Sequence, residues 1–245
     1  MERILAGQAL NKTSGGVGLL FANRGSAVPV FLGSCFSLFR PSIIVTAYHC
    51  IRGIKDSEVV INHHGAPGAQ LFERPKRVIF SEKIDIAVME IDAAGGKWSI
   101  PFKGLQYTAD LGEPVGSLGH PDNLIGDEPN RETQRLFRGH IQRPFVYSGG
   151  RSPYSAFELN FASPAGLSGA PLFLISNPSI VLGVITANFQ STTAIDEEIT
   201  DGTDPPRTHR RVIEFGVASN IFHATELFEK ILGSRLPDPS PFVIP

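Results

Sequence analysis

The sequence predicts an all-β fold, and three observations carry that prediction. Short apolar runs recur along the chain, each bounded by turn residues, which is the pattern of many short strands. Glycine and proline are plentiful, 25 and 19 of 245 residues, and both favour tight turns over long helices. Only one stretch, near the C-terminus, repeats apolar residues at helical spacing.

The elements follow in chain order. Strands are expected at 17–22, 28–32, 42–46, 58–62, 77–80 and 86–91. Residues 95–110 carry few apolar side chains and read as a link between two halves. A second set of strands is expected at 115–118, 136–141, 156–161, 171–175, 181–187 and 212–218. That alternation of strand and turn reads as barrels or sandwiches. Ser219 or Asn220 can then cap a helix, in which Ile221, Ala224, Leu227, Phe228, Ile231 and Leu232 form one apolar stripe and Gly233 the stop. The tail 234–245 is rich in proline and reads as extended. Two polar segments, 121–135 and 191–211, read as insertions. The second runs acidic first (Asp196, Glu197, Glu198) and then basic (Arg207, Arg210, Arg211), which suits a solvated surface loop.

Composition narrows the function. Apolar residues make up 42% and charged residues 19%, so a sizeable core can be buried. A net charge of −2 gives no argument for a nucleic-acid partner. No run approaches the ~20 apolar residues of a membrane span, so no membrane partner is expected. The N-terminus lacks the basic end and apolar block of a signal peptide. That favours the cytoplasm, or an extracytoplasmic home if the chain is already processed. The adjacent His63 and His64 point to opposite faces of a strand, and neither a metal nor another cofactor is expected.

Chemistry is carried by three motifs. Thr46-Ala47-Tyr48-His49-Cys50 places a histidine after an apolar run, and Asp85-Ile86-Ala87-Val88 places an acid at the start of another. Ser163-Pro164-Ala165-Gly166-Leu167-Ser168-Gly169-Ala170-Pro171 places a serine in a glycine-flanked turn. The order His, Asp, Ser is that of one catalytic triad architecture. On these motifs the chain resembles the trypsin-like (chymotrypsin-fold) serine peptidases over roughly residues 15–233. The resemblance implies two six-stranded antiparallel β-barrels around a cleft, within a single peptidase domain. Their expected extents are about 13–105 and 111–218, followed by the helix at 220–233.

The resemblance also implies roles. Ser168 is the expected nucleophile, His49 its base and Asp85 the residue that orients His49. The backbone N–H groups of Gly166 and Ser168 are the expected oxyanion donors. The strand containing Thr186 and Asn188 is expected to pair with substrate, with Ala162, Asn188 and Gly216 lining the specificity pocket and Thr186 supporting Asp85. None of the pocket residues is charged, which favours a small or medium apolar residue before the cut. The implied substrate is a protein or peptide, with room for a regulatory protein partner. The family often bridges the positions of Cys35 and Cys50; the sequence leaves a disulfide and two buried free thiols equally open.

Two departures matter. Leu167 stands where zymogen-derived relatives carry an aspartate that pairs with a new N-terminus, and no cleavage-ready Ile-Val-Gly-Gly start is present. The chain therefore resembles the non-zymogen branches, such as the high-temperature-requirement peptidases, without a PDZ domain. Ala170 replaces the usual second glycine after the serine. An α/β-hydrolase is excluded, because Ala170 fills the last glycine of its Gly-x-Ser-x-Gly signature and His49 precedes the serine instead of coming last. The remaining rival is a catalytically silent peptidase fold that only binds partners.

Overall fold

The computed structural model describes residues 15–25, 29–64, 70–92, 104–105, 108–122, 134–148, 153–198 and 207–236. The first half forms one antiparallel sheet. Its strands are β1 (Val17–Ala22), β2 (Val30–Leu38), β3 (Arg40–Ala47), β4 (Val59–His64), β5 (Gln70–Glu73), β6 (Arg77–Ser81) and β7 (Ile86–Glu90), in the order β5-β4-β1-β2-β3-β7-β6. A four-residue helix, α1 (Tyr48–Ile51), follows β3 directly.

The second half holds β8 (Gly104–Leu105), β9 (Pro114–Gly119), β10 (Arg135–Tyr147), β11 (Tyr154–Leu159), β12 (Pro171–Leu174), β13 (Ile180–Glu198) and β14 (Arg207–Asn220). The order β12-β9-β10-β11-β14-β13 closes on itself, because β12 also pairs with β13. This is the six-stranded barrel expected of the second half, closed where β12 meets β13 between Val181 and Val184. In the first half seven strands form a half-barrel, with no closing pair among the described residues.

The helix α2 (Thr225–Leu232) ends the described chain. It is entered through a 3-10 turn, Ile221–Ala224, where the Asn220 side chain accepts from the Phe222 N–H at 3.0 Å. Gly233 closes it with a bond to the Glu229 carbonyl. Leu227, Phe228 and Ile231 are buried, and the helix packs on β6 and β7. Phe228 meets Phe39 edge to face, with centroids 5.6 Å apart. The C-terminal element thus returns to the first sheet and ties the halves together. One buried cluster runs from Val17 and Ile44 through Phe173 and Val184 to Phe228.

One expectation is corrected. Residues 191–198 and 207–211 are strand, not loop, because β13 and β14 stay paired out to Glu198↔Arg207, with one register shift at Ala194/Asp196. The pairing rests on the backbone ladder and on cross-strand contacts such as Gln190 to Glu214 at 2.7 Å, which do not need apolar alternation. Residues 199–206, most of the insertion at 121–135 and most of the tail at 234–245 lie outside the described residues.

Candidate active site

Three short connections converge where the two sheets meet. The first is α1. Ladder register pairs Ala47 of β3 with Ile86 of β7, which sets Asp85 opposite Tyr48 and His49. The Tyr48 N–H donates to the Asp85 carbonyl at 3.0 Å. The His49 N–H donates to Asp85 Oδ1 at 2.9 Å, and His49 Nδ1 bonds Asp85 Oδ2 at 2.7 Å. Both carboxylate oxygens are therefore engaged, and Asp85 is 2% exposed. Asp85 adopts φ 55 to reach this position, a conformation that aspartate tolerates better than most residues.

A carboxylate only accepts, so Nδ1 must carry the hydrogen. That leaves Nε2 of neutral His49 as an acceptor. Burial disfavours the imidazolium, but the Asp85 hydrogen bond, the Cys50 side chain and the Asp85 charge outweigh it and hold the His49 pKa above its ordinary value.

The second connection is the turn carrying Ser168, between β11 and β12. Its carbonyl accepts from the Ser34 N–H of β2 at 2.9 Å, and the Cys50 thiol lies 3.8 Å away. The serine backbone is thus pinned to the first sheet, against the residue that follows His49. Inside the turn the amides alternate. Leu167 N–H donates to Pro164, Gly169 N–H to Ile185 and Ala170 N–H to Leu167. The N–H groups of Gly166 and Ser168 have no acceptor among the described residues. Gly166 has φ 85, and a Cβ there would stand 2.5 Å from both Asp122 N and His120 O. The Ala165 carbonyl accepts from Asp122 N–H at 2.7 Å. In a planar trans peptide the following N–H points the other way, so the Gly166 donor faces away from Asp122. Gly169 has φ 88, and a Cβ there would run into the Ser34 carbonyl and Thr46 Oγ1.

A residue the sequence did not reveal holds this turn. Ser34 Oγ donates to the Gly166 carbonyl and accepts from the His120 N–H, both at 2.8 Å. Thr46 Oγ1 in turn donates to the Ser34 carbonyl at 2.8 Å. The Ser34–Gly166 bond spans 132 positions of sequence, so no local motif announces it. Leu167 is fully buried with Val115, Ala170 and Ile185. Apolar packing therefore occupies the place where an ion pair anchors the turn in zymogen-derived relatives.

The third connection brings the pocket residues together. Asn188 and Gly216 are register partners. Gly216 N–H donates to the Phe161 carbonyl at 2.6 Å, and Ser163 N–H donates to Asn188 Oδ1 at 3.2 Å. Ala162 lies between those two anchors. Thr186 is buried, and its hydroxyl meets Ser219 Oγ at 3.2 Å and Tyr154 OH at 3.4 Å. It was expected to support Asp85; its hydroxyl is instead shared with Ser219 and Tyr154. Tyr154, also missed in the sequence, lies close enough to Asp85 to feel its charge. Cys35 and Cys50 are buried free thiols, not a disulfide. Burial, reinforced by the nearby Cys50, pushes the Cys35 thiol far above its usual range.

Comparison with known proteins agrees with this architecture. A family model described as the trypsin-like peptidase domain matches residues 33–183. Protease Do-like 1, chloroplastic, of Arabidopsis thaliana is 28% identical over 160 residues, and the match spans 65% of this chain and 34% of that relative's length. Among solved structures the chain resembles the Rv3671c protease from M. tuberculosis in its active form, with a TM-score of 0.62 and 17% identity over 94% of this chain and 86% of that one. It also resembles Deg5, with a TM-score of 0.59 and 22% identity over 76% and 87% of the two chains. At such identities the structural likeness is one of fold. The family match covers the histidine, the aspartate and the serine turn alike, and the chain belongs to the trypsin-like peptidase family.

Proposed function

We propose that the chain is a serine endopeptidase that works through an acyl-enzyme, with Ser168 as nucleophile, His49 as general base and Asp85 as its orienting partner. The reading is carried by one observation. In the turn around Ser168, the N–H groups of Gly166 and Ser168 have no acceptor among the described residues, while those of Leu167, Gly169 and Ala170 are engaged. Two free donors flanking a serine are what a developing oxyanion requires.

The steps follow from the groups in place. His49 Nε2 takes the Ser168 proton as Oγ attacks the carbonyl carbon. Asp85 holds the imidazole in the productive tautomer and stabilises the imidazolium. The oxyanion forms between the Gly166 and Ser168 amides. His49 then passes the proton to the leaving amine, and water reverses the sequence on the acyl-enzyme. Ala162, Asn188 and Gly216 offer no charge, so the residue before the cut is small or medium and apolar. Substrate backbone pairs antiparallel with β13 beside Thr186 and Asn188. The domain assignment, a single peptidase unit across the chain, belongs to this proposal.

The experiment is cleavage of a peptide library by the purified protein and by its Ser168→Ala and His49→Ala variants. Cleavage after small apolar residues, lost in both variants, is the expected result. Full turnover in Ser168→Ala removes the assignment.

A further inference from the structure

The pairing edge of β13 runs far beyond the positions nearest the cut. On one side β13 is paired with β14 from Gly183 to Glu198. On the other, pairing with β12 ends at Val184, β8 covers only Ile180 and Val181, and Ile185 bonds the Gly169–Ala170 turn. Past Ile185, no strand pairs with that edge among the described residues.

Register fixes which residues address it. Gly216 directs its N–H to Phe161, on the β11 side. Within a strand, a residue sends both of its polar backbone groups to one side, and its neighbours send theirs to the other. Gly216 therefore does not bond its register partner Asn188, and Asn188 faces the free edge. Pairing is unbroken from Asn188↔Gly216 to Ala194↔Arg210. Asn188, Gln190, Thr192 and Ala194 thus all present N–H and C=O to the open side, over about 20 Å of strand.

Exposed edges are usually blunted by proline, lysine or bulges. Residues 186–194 contain neither residue type, and no bulge interrupts 188–194. Phe189, within this stretch, is 47% exposed, so apolar side-chain surface accompanies the polar edge. Unpaired backbone next to exposed apolar surface suits an added strand.

We propose that the substrate is an extended, unfolded polypeptide whose segment before the cut adds a strand to β13 as far as Ala194. The inference rests on the peptidase reading, since it continues the pairing that reading assigns to Thr186 and Asn188. Antiparallel pairing puts the third residue before the cut on Asn188, the fifth on Gln190, the seventh on Thr192 and the ninth on Ala194. The even residues face away from β13.

The test uses fluorescent peptides with four, six, eight or ten residues before the cut. Turnover is followed with the wild-type protein and affinity, by anisotropy, with Ser168→Ala. Each added pair of backbone bonds should raise kcat/KM and affinity by roughly three- to tenfold. N-methylation of the fifth or seventh residue should cancel its step, and N-methylation of the sixth should not. Thr192→Pro deletes one edge-facing N–H while the ladder to β14 uses its neighbours, and it should shrink the long-to-short ratio. Because the methylated peptides act on unaltered protein, the test survives a misfolded variant. Flat values beyond four residues, with the short peptide still cut, overturn the extended strand and leave the peptidase reading intact. Length-dependent binding with no peptide cut removes the peptidase reading and leaves a binding edge. A dimer in sedimentation, joined through this edge and indifferent to peptide length, also overturns the proposal.

Discussion

Replacing Ser34 by alanine separates the framework of the serine turn from its chemistry. The hydroxyl makes two bonds of 2.8 Å, to the Gly166 carbonyl and from the His120 N–H, and both Ser34 and His120 are fully buried. Alanine removes the hydroxyl from both the buried His120 N–H and the half-buried Gly166 carbonyl. Stranding a buried polar group costs ~1–3 kcal/mol, so the pair together predicts a loss of roughly 2–4 kcal/mol of stability. Ser37→Ala is the internal control, since that equally buried hydroxyl makes only a 3.5 Å contact to Gly16 and should cost less than about 1 kcal/mol. Ser34→Ala also frees the carbonyl of Gly166, whose N–H is one of the two proposed oxyanion donors. Outright loss of such a donor costs on the order of 10²–10³ in rate, so loosening it should cost about 10–10². The loss should fall on kcat with KM little changed, because the donor acts in the transition state. Denaturant unfolding and steady-state peptide cleavage measure the two effects. A variant destabilised as expected but with unchanged kcat refutes the idea that Ser34 positions the oxyanion turn.

Other predictions follow from the same geometry. Gly166→Ala must accommodate φ 85 and two backbone atoms at 2.5 Å from its Cβ, so turnover should fall by at least about 10², read as kcat in folded protein. Leu167→Ala opens a cavity beneath the turn and should cost ~2–5 kcal/mol in denaturant unfolding. Turnover should rise with pH through a midpoint above the usual histidine value of about 6.5, because only neutral His49 accepts a proton. Asp85→Asn should lower that midpoint and reduce kcat by about 10⁴. The same pair links stability to pH. A pKa raised in the folded state gives a contribution that is complete below about 6.5 and lost as pH climbs through the folded value. Asp85→Asn should therefore destabilise more at pH 6 than at pH 10 in thermal unfolding.

What could be read from the chain beforehand follows the range of the interactions involved. Strands such as β1, β7 and β12 declare themselves because each is a short apolar run between turns. The helix α2 does so through its apolar stripe, with Asn220 capping the 3-10 turn that leads into it. His49, Asp85 and Ser168 each sit in a recognisable local context; strand register pairs His49 with Asp85, and the Ser168 carbonyl comes beside Cys50. β5 and β8 are too short to form a pattern. The outer part of the β13–β14 hairpin looked like a loop because its stability comes from a backbone ladder that side-chain polarity does not report. Ser34 and Tyr154 stayed hidden because their side-chain partners lie far away in sequence. The half-barrel of the first sheet, in place of a closed one, depends on pairings that no single strand encodes.

The most direct test of the account is labelling with a fluorophosphonate, followed by mass spectrometry of the modified peptide. The probe needs an activated serine beside working oxyanion donors and makes no demand on substrate length. A single adduct on Ser168 is expected, absent in Ser168→Ala and strongly slowed in His49→Ala and Asp85→Asn. A folded wild-type protein that takes up no label, or an adduct elsewhere that persists in Ser168→Ala, contradicts it.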